Sequence, residues 1–257
     1  MTRSRINTLL AAALLLVAEC THAASTRRTE AGDDSAPQSQ FLTVDGVKIH
    51  YWVQGSGEPV VLVHAWLSNA EANWIRPGTM AQLASHHHQV IALDLVGYGQ
   101  SDTPDNPTAY GDGWVEQIKQ LMDHLHIPKA HIVGYSMGGI IALKFIVLHP
   151  DCTLSGLLGG MGYLEAGGEN QQTWTNMRRV QSRGVAQLAL TPNQVNSVHV
   201  PVEIVIGSRD PANKRYVEPL LKVRSDWPVV KIPGNGHITT VMAQAFKDEI
   251  VRWTAPH

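Results

Sequence analysis

Residues 130–148 read AHIVGYSMGGIIALKFIVL, and the fold is decided by how that stretch divides. Ala130 to Tyr135 is a short apolar run of the kind expected of a buried strand, and Met137 to Leu148 is long and apolar enough for a core helix. Between them stands Gly134-Tyr135-Ser136-Met137-Gly138-Gly139, a G-x-S-x-G sequence with serine at its centre. Set between a strand and a helix, this pattern is a nucleophile elbow: a sharp turn that lifts the serine hydroxyl clear of a sheet. Small residues at 134 and 138 let a strained backbone and its neighbours approach closely. The helix start then faces the serine with unpaired N–H groups.

A serine hydroxyl is a weak nucleophile, so the elbow predicts a base and an acid that orients the base. Asp210 follows the apolar run Val202 to Ile206, and His237 follows Pro228 to Ile232. Both are therefore expected on loops at the same carboxyl edge as Ser136, in the chain order Ser, Asp, His. Asp226 competes for the acid's place, but it precedes its strand and so belongs to the opposite edge. The candidate catalytic residues are Ser136, Asp210 and His237.

Outward from this core, Pro59 to His64, Gln89 to Leu93 and Thr153 to Leu157 are further buried-strand runs, and Phe41 to Val53 alternates around Asp45-Gly46 as a hairpin does. Gly113 to Leu125 and Ile238 to Trp253 carry apolar residues at helical spacing. Alternating strands and helices predict an α/β fold: a mostly parallel central sheet flanked by helices on both faces, with ligands at the carboxyl ends of the strands. Residues 159–200 are too long for a simple connection. Their apolar content predicts a small helical cap of two short helices, at about residues 160–200.

With His64-Ala65-Trp66 after one strand and Asp94-Leu95-Val96-Gly97-Tyr98-Gly99-Gln100-Ser101 after the next, the chain resembles the α/β-hydrolase fold family across roughly residues 41–255. The resemblance implies that the backbone N–H groups of Trp66 and Met137 form an oxyanion hole. Ala65 departs from the family, where glycine is usual; if the position demands a positive φ, alanine costs about 1 kcal/mol and shifts the loop carrying Trp66. Haloalkane dehalogenases and epoxide hydrolases of this fold resemble the chain but use aspartate at the elbow, so Ser136 points to acyl transfer instead. The expected activity is hydrolysis of small to medium acyl or aryl esters, without cofactor or metal, with Leu67, Met161, Tyr163 and Ile238 in the substrate pocket beside Trp66 and Met137. Relatives hydrolyse lactones, thioesters or carbon–carbon bonds, or act as perhydrolases, with the same constellation, and a non-catalytic binding protein on this fold is a further alternative. Asp94 is read as an acceptor for loop hydrogen bonds, and His86-His87-His88 as a solvated loop rather than a metal site.

Arg3 and Arg5 precede the apolar stretch 9–18 and then small residues, the layout of a signal peptide over residues 1–23. Ten helical residues span only about 15 Å, too little for a stable membrane crossing. This predicts a secreted or periplasmic protein, with lipid anchoring through Cys20 as the alternative. Residues 24–40 are polar and read as a flexible leader before a domain at 41–257. With 20 Lys and Arg against 22 Asp and Glu, no basic surface suits nucleic acid. Cys152 would be a buried structural thiol. Nothing in the sequence sets an oligomeric state.

Overall fold

The computed structural model describes residues 36–255. The proposed signal peptide, Cys20 and most of the leader lie outside the described residues. A hairpin comes first, β1 (Gln38–Val44) and β2 (Val47–Gln54). Asp45 and Gly46 both have positive φ, 50° and 80°, as a two-residue hairpin turn requires. The strand begins earlier than the polar leader suggested, because Ser39 Oγ bonds His50 Nε2 at 2.9 Å and Gln40 Oε1 accepts the Tyr51 hydroxyl at 2.9 Å.

The chain continues through β3 (Glu58–Val63), α1 (Thr79–Ser85), β4 (His88–Leu93), α2 (Asp112–His124), β5 (Ala130–Tyr135), α3 (Met137–Leu148) and β6 (Thr153–Gly159). Three short helices follow, α4 (Glu169–Thr175), α5 (Val180–Gln187) and α6 (Pro192–Asn196), one more than expected in this region. Then come β7 (Val202–Gly207), α7 (Glu218–Val223), β8 (Val229–Ile232), α8 (His237–Thr240) and α9 (Gln244–Thr254). The strands form one sheet in the order β1-β2-β4-β3-β5-β6-β7-β8. Only the β1–β2 and β2–β4 pairs are antiparallel.

Strand side chains alternate between two cores, as a period of two demands. Val61, Val63, Ile91, Leu93, Ile132, Ile204 and Ile206 pack with α2, α3 and the apolar side of α5. Val60, Leu62, Val90, Ala92, Val133 and Val205 pack with Met80 and Leu83 of α1 and Phe246 and Ile250 of α9. Burial on both faces explains why these strands read as continuous apolar runs. The run at 86–88 divides: His86 and His87 are exposed, while His88 is buried, its ring bonded to Glu58 O at 3.0 Å and Thr254 Oγ1 at 3.2 Å. Cys152 is only half-buried, because it stands in the turn before β6 rather than inside a core.

One charged group interrupts the second core. Glu203 of β7 is 2% exposed and pairs with Arg252 of α9. Burial, reinforced by the neighbouring Glu249 carboxylate, outweighs the guanidinium and pushes the Glu203 carboxyl up to about 7. Its folded value exceeds its unfolded one, so this group's contribution is complete below the unfolded carboxylate range and is lost as pH rises through about 7. The melting temperature should fall between about pH 5 and pH 8, and Glu203→Gln should flatten that slope by stabilising the alkaline end. Thermal melts across that range check this; an unchanged slope in Glu203→Gln assigns the pH dependence elsewhere.

Candidate active site

Three loops at the carboxyl edge of the sheet bring their side chains together. The first is the elbow between β5 and α3, where Ser136 adopts φ 57°, ψ −119°. A Cβ on Gly134 would stand 2.0 Å from Gly138 O, and one on Gly138 would stand 2.1 Å from Val63 O and 2.7 Å from His64 O. Glycine is therefore dictated by backbone contact. Gly138→Ala should push the end of β3 aside and destabilise the protein by about 2 to 3 kcal/mol or more. Denaturant unfolding measures this, and a wild-type midpoint would mean that the elbow yields without cost.

The second loop follows β7. Asp210 is 5% exposed, and its Oδ1 accepts the Ala212 N–H at 2.8 Å. The third follows β8, where His237 opens α8 and its carbonyl accepts the Tyr135 hydroxyl. His237 Nδ1 lies 2.7 Å from Asp210 Oδ2, and its Nε2 lies 2.8 Å from Ser136 Oγ. A carboxylate only accepts, so it fixes the proton on Nδ1 and leaves Nε2 as a lone pair facing the serine hydroxyl. Asp226, by contrast, is ion-paired to Arg224 at 2.8 Å on the surface.

The segment after β3 completes the site. His64 Nδ1 donates to Ala65 O at 2.8 Å, and its Nε2 accepts the Leu95 N–H at 3.1 Å. Full burial lowers the His64 pKa, in keeping with a neutral ring that accepts at one nitrogen and donates at the other. Asn73 Oδ1 accepts the Ala65 N–H at 2.7 Å. The loop is thus pinned from both sides. Ala65 is not among the residues of positive φ, whereas Leu67 has φ 54°; the strained position lies two residues later, so alanine at 65 carries no penalty of that kind. The N–H groups of Trp66 and Met137 have no acceptor among the described residues. Asp94 is 2% exposed; its carboxylate accepts the Ala70 and Gln100 N–H groups at 2.8 and 2.9 Å and bonds His50.

A cavity of about 580 Å³ opens over Ser136 and His237, walled chiefly by Trp66, Leu67, Met161, Trp174, Ile238 and Met242. Leu67 and Ile238, 62% and 77% exposed, belong to its rim. Tyr163 is the exception among the expected pocket residues. It is 1% exposed and packed in the core, because the chain beyond Met161 dives beneath the cap, where Leu164 O accepts the Leu190 N–H at 2.9 Å. Burial pushes its hydroxyl up to about 12. Asn73, Trp174 and Met242 were missed. Met242 had a legible signal, since Ile238, Val241 and Met242 fall on one helical side after His237; Asn73 had none beyond its place after the 64–66 segment. Among the described residues no His, Cys, Asp and Glu cluster could hold a metal ion, and no helix is long and apolar enough to cross a membrane.

A mostly parallel sheet with a serine elbow and a histidine on a later loop of the same edge defines an α/β hydrolase architecture. Residues 58–175, a little under half of the chain, match the family model described as alpha/beta hydrolase fold. An uncharacterised protein of Mycobacterium bovis is 36% identical over 46% of this chain and 33% of its own length. The 2-hydroxy-6-oxo-6-(2'-aminophenyl)hexa-2,4-dienoic acid hydrolase of Metapseudomonas resinovorans is 31% identical over 46% of this chain and 40% of its own. The chain thus spans well under half the length of these relatives. A structure reported with the carboxylesterases of Nitrososphaera gargenis superposes with a TM-score of 0.71 at 16% identity, over 83% of this chain and 97% of that one; this likeness shows the fold.

Proposed function

We propose that the protein is a serine hydrolase that cleaves carboxylic esters of small to medium acyl or aryl groups through an acyl-enzyme on Ser136. The observation that carries this reading is the continuous relay from Asp210 Oδ2 to His237 Nδ1 at 2.7 Å and from His237 Nε2 to Ser136 Oγ at 2.8 Å. His237 takes the hydroxyl proton as Oγ attacks the ester carbonyl, and Asp210 stabilises the imidazolium that results. The tetrahedral oxyanion accepts from the free N–H groups of Trp66 and Met137, donors worth about 3 to 4 kcal/mol each in such sites. His237 then returns the proton to the departing alkoxide. Water, deprotonated by the same imidazole, attacks the acyl-enzyme, releases the carboxylic acid and restores the serine.

The apolar wall of Trp66, Met161, Trp174 and Met242 favours an uncharged hydrocarbon portion beside the scissile bond. The signal-peptide layout of residues 1–23 supports export to the periplasm or beyond. The test is hydrolysis of p-nitrophenyl acetate, butyrate and benzoate by the purified protein, with mass spectrometry of the peptide carrying Ser136 after rapid acid quench. Turnover with an acyl adduct on Ser136 is expected. Absence of turnover across esters, or an adduct on another residue, overturns the proposal.

A further inference from the structure

A second cavity, about 380 Å³, shares Trp66, Leu67 and Ser68 with the one over Ser136 but contains neither Ser136 nor His237. Its chemistry is different. Arg179, Asn69, Tyr98 and Gln181 line it, and no acidic side chain does. Each polar group there is available to donate. Asn69 Oδ1 is engaged by the Ala72 N–H at 2.8 Å, and its Nδ2, with no hydrogen-bond partner among the described residues, remains for a ligand. Tyr98 is 9% exposed, and the hydrogen bond that its hydroxyl makes among the described residues is a long one to Met137 Sδ, at 3.9 Å. Burial pushes that hydroxyl's pKa up, so it stays a donor, and Arg179 is close enough for its charge to act on it.

Arg179 itself has no carboxylate partner; the arginine ion pairs among the described residues belong to Arg76, Arg224 and Arg252. Asp94 stands behind Gly99 of the lining, where a Cβ on Gly99 would touch its carboxylate at 2.0 Å. Its oxygens already serve Ala70, Gln100 and His50. Arg179 is exposed, and its unpaired guanidinium, among neutral donors in a lining without acidic side chains, is open to an anion. One cation with neutral donors matches a single negative charge, and the planar guanidinium fork matches a carboxylate.

We propose that this cavity holds a carboxylate carried by the substrate while the scissile carbonyl lies at Ser136, so that the preferred substrates are half-esters of dicarboxylic acids. The inference rests on the hydrolase reading above and adds the substrate's charge to it. Trp66, edge-on to Tyr98 at 5.9 Å and to Trp174 at 5.2 Å, is then the partition between the anionic and apolar ends.

The test compares p-nitrophenyl hydrogen esters of succinate, glutarate, adipate and suberate with p-nitrophenyl butyrate, valerate, hexanoate and octanoate. In the wild type the diacid series should show the lower KM at one or more chain lengths. Arg179→Gln should erase that preference by about tenfold or more, mainly in KM, and Arg179→Lys should restore part of it. Arg183→Gln removes an equal charge from the exposed side of α5 and should leave the preference in place. No preference in the wild type, or one that survives Arg179→Gln, overturns the proposal. Calorimetric titration with free adipate against hexanoate separates it from the activity. If no ester is cleaved but adipate binds in an Arg179-dependent way, the hydrolase reading fails and the anion site stands. If esters are cleaved without preference, the anion site fails alone.

Discussion

Ser136→Ala will lower ester turnover by about five to six orders of magnitude while leaving the melting temperature close to that of the wild type. The rate effect follows from removing the hydroxyl that stands 2.8 Å from His237 Nε2. The small stability effect follows from what the side chain does not do. Although Ser136 precedes α3, it makes no capping hydrogen bond, so the usual loss of about 1 kcal/mol on replacing a capping serine does not apply. Alanine meets the same positive φ that serine already bears. Because the residues of a relay act as a unit, Ser136→Ala combined with His237→Ala should be no slower than either alone. Steady-state kinetics, thermal melts and labelling by a fluorophosphonate probe check the three statements. Labelling or turnover that persists in Ser136→Ala would assign the nucleophile to another residue.

The strands of this fold were legible because burial on both faces forces continuous apolar runs, and the predicted segments at 59–64, 89–93, 130–135, 202–206 and 228–232 differ from the observed strands by no more than a residue at either end. The elbow was legible for a sharper reason. Gly134 and Gly138 are required because a Cβ at either would stand 2.0 or 2.1 Å from a backbone oxygen, and such steric demands leave glycine in the sequence at fixed spacing from the serine. What escaped detection was held by tertiary contact. Residues 38–40 are polar, yet pair because Tyr51 and His50 across the hairpin offer them partners. Tyr163 has the composition of a pocket residue, and only the path of the chain under the cap sends it into the core. Asn73 holds the Ala65 N–H from outside the motif, and a lone asparagine in a polar stretch has no periodicity to announce that role. Positions at the cap, where α4, α5 and α6 are short and weakly patterned, are decided by what they pack on rather than by local propensity.

Asp210→Asn should lower kcat for neutral esters by about four orders of magnitude with little change in KM, although the replacement is nearly isosteric. The reason lies in the two hydrogen bonds that Asp210 makes. Its Oδ1 accepts the Ala212 N–H at 2.8 Å, and its Oδ2 faces His237 Nδ1 at 2.7 Å. An asparagine must place its one oxygen at one of these positions. If the oxygen turns to His237, the amide NH₂ is set against the Ala212 N–H, two donors facing each other in a site where the side chain is 0% exposed, at a cost of about 1 to 3 kcal/mol. The amide therefore keeps its oxygen on Ala212 and presents NH₂ to His237. Nδ1 must then accept, the ring proton moves to Nε2, and the nitrogen facing Ser136 Oγ becomes a donor with no lone pair for the hydroxyl proton. The fold survives and the base is disabled. Asp226→Asn supplies the control, since that carboxylate is exposed and paired with Arg224; its kcat should stay within about twofold of wild type, as expected for a surface ion pair. An Asp210→Asn enzyme within tenfold of wild type, or an Asp226→Asn enzyme that loses activity, would show that the histidine is oriented by a different acid.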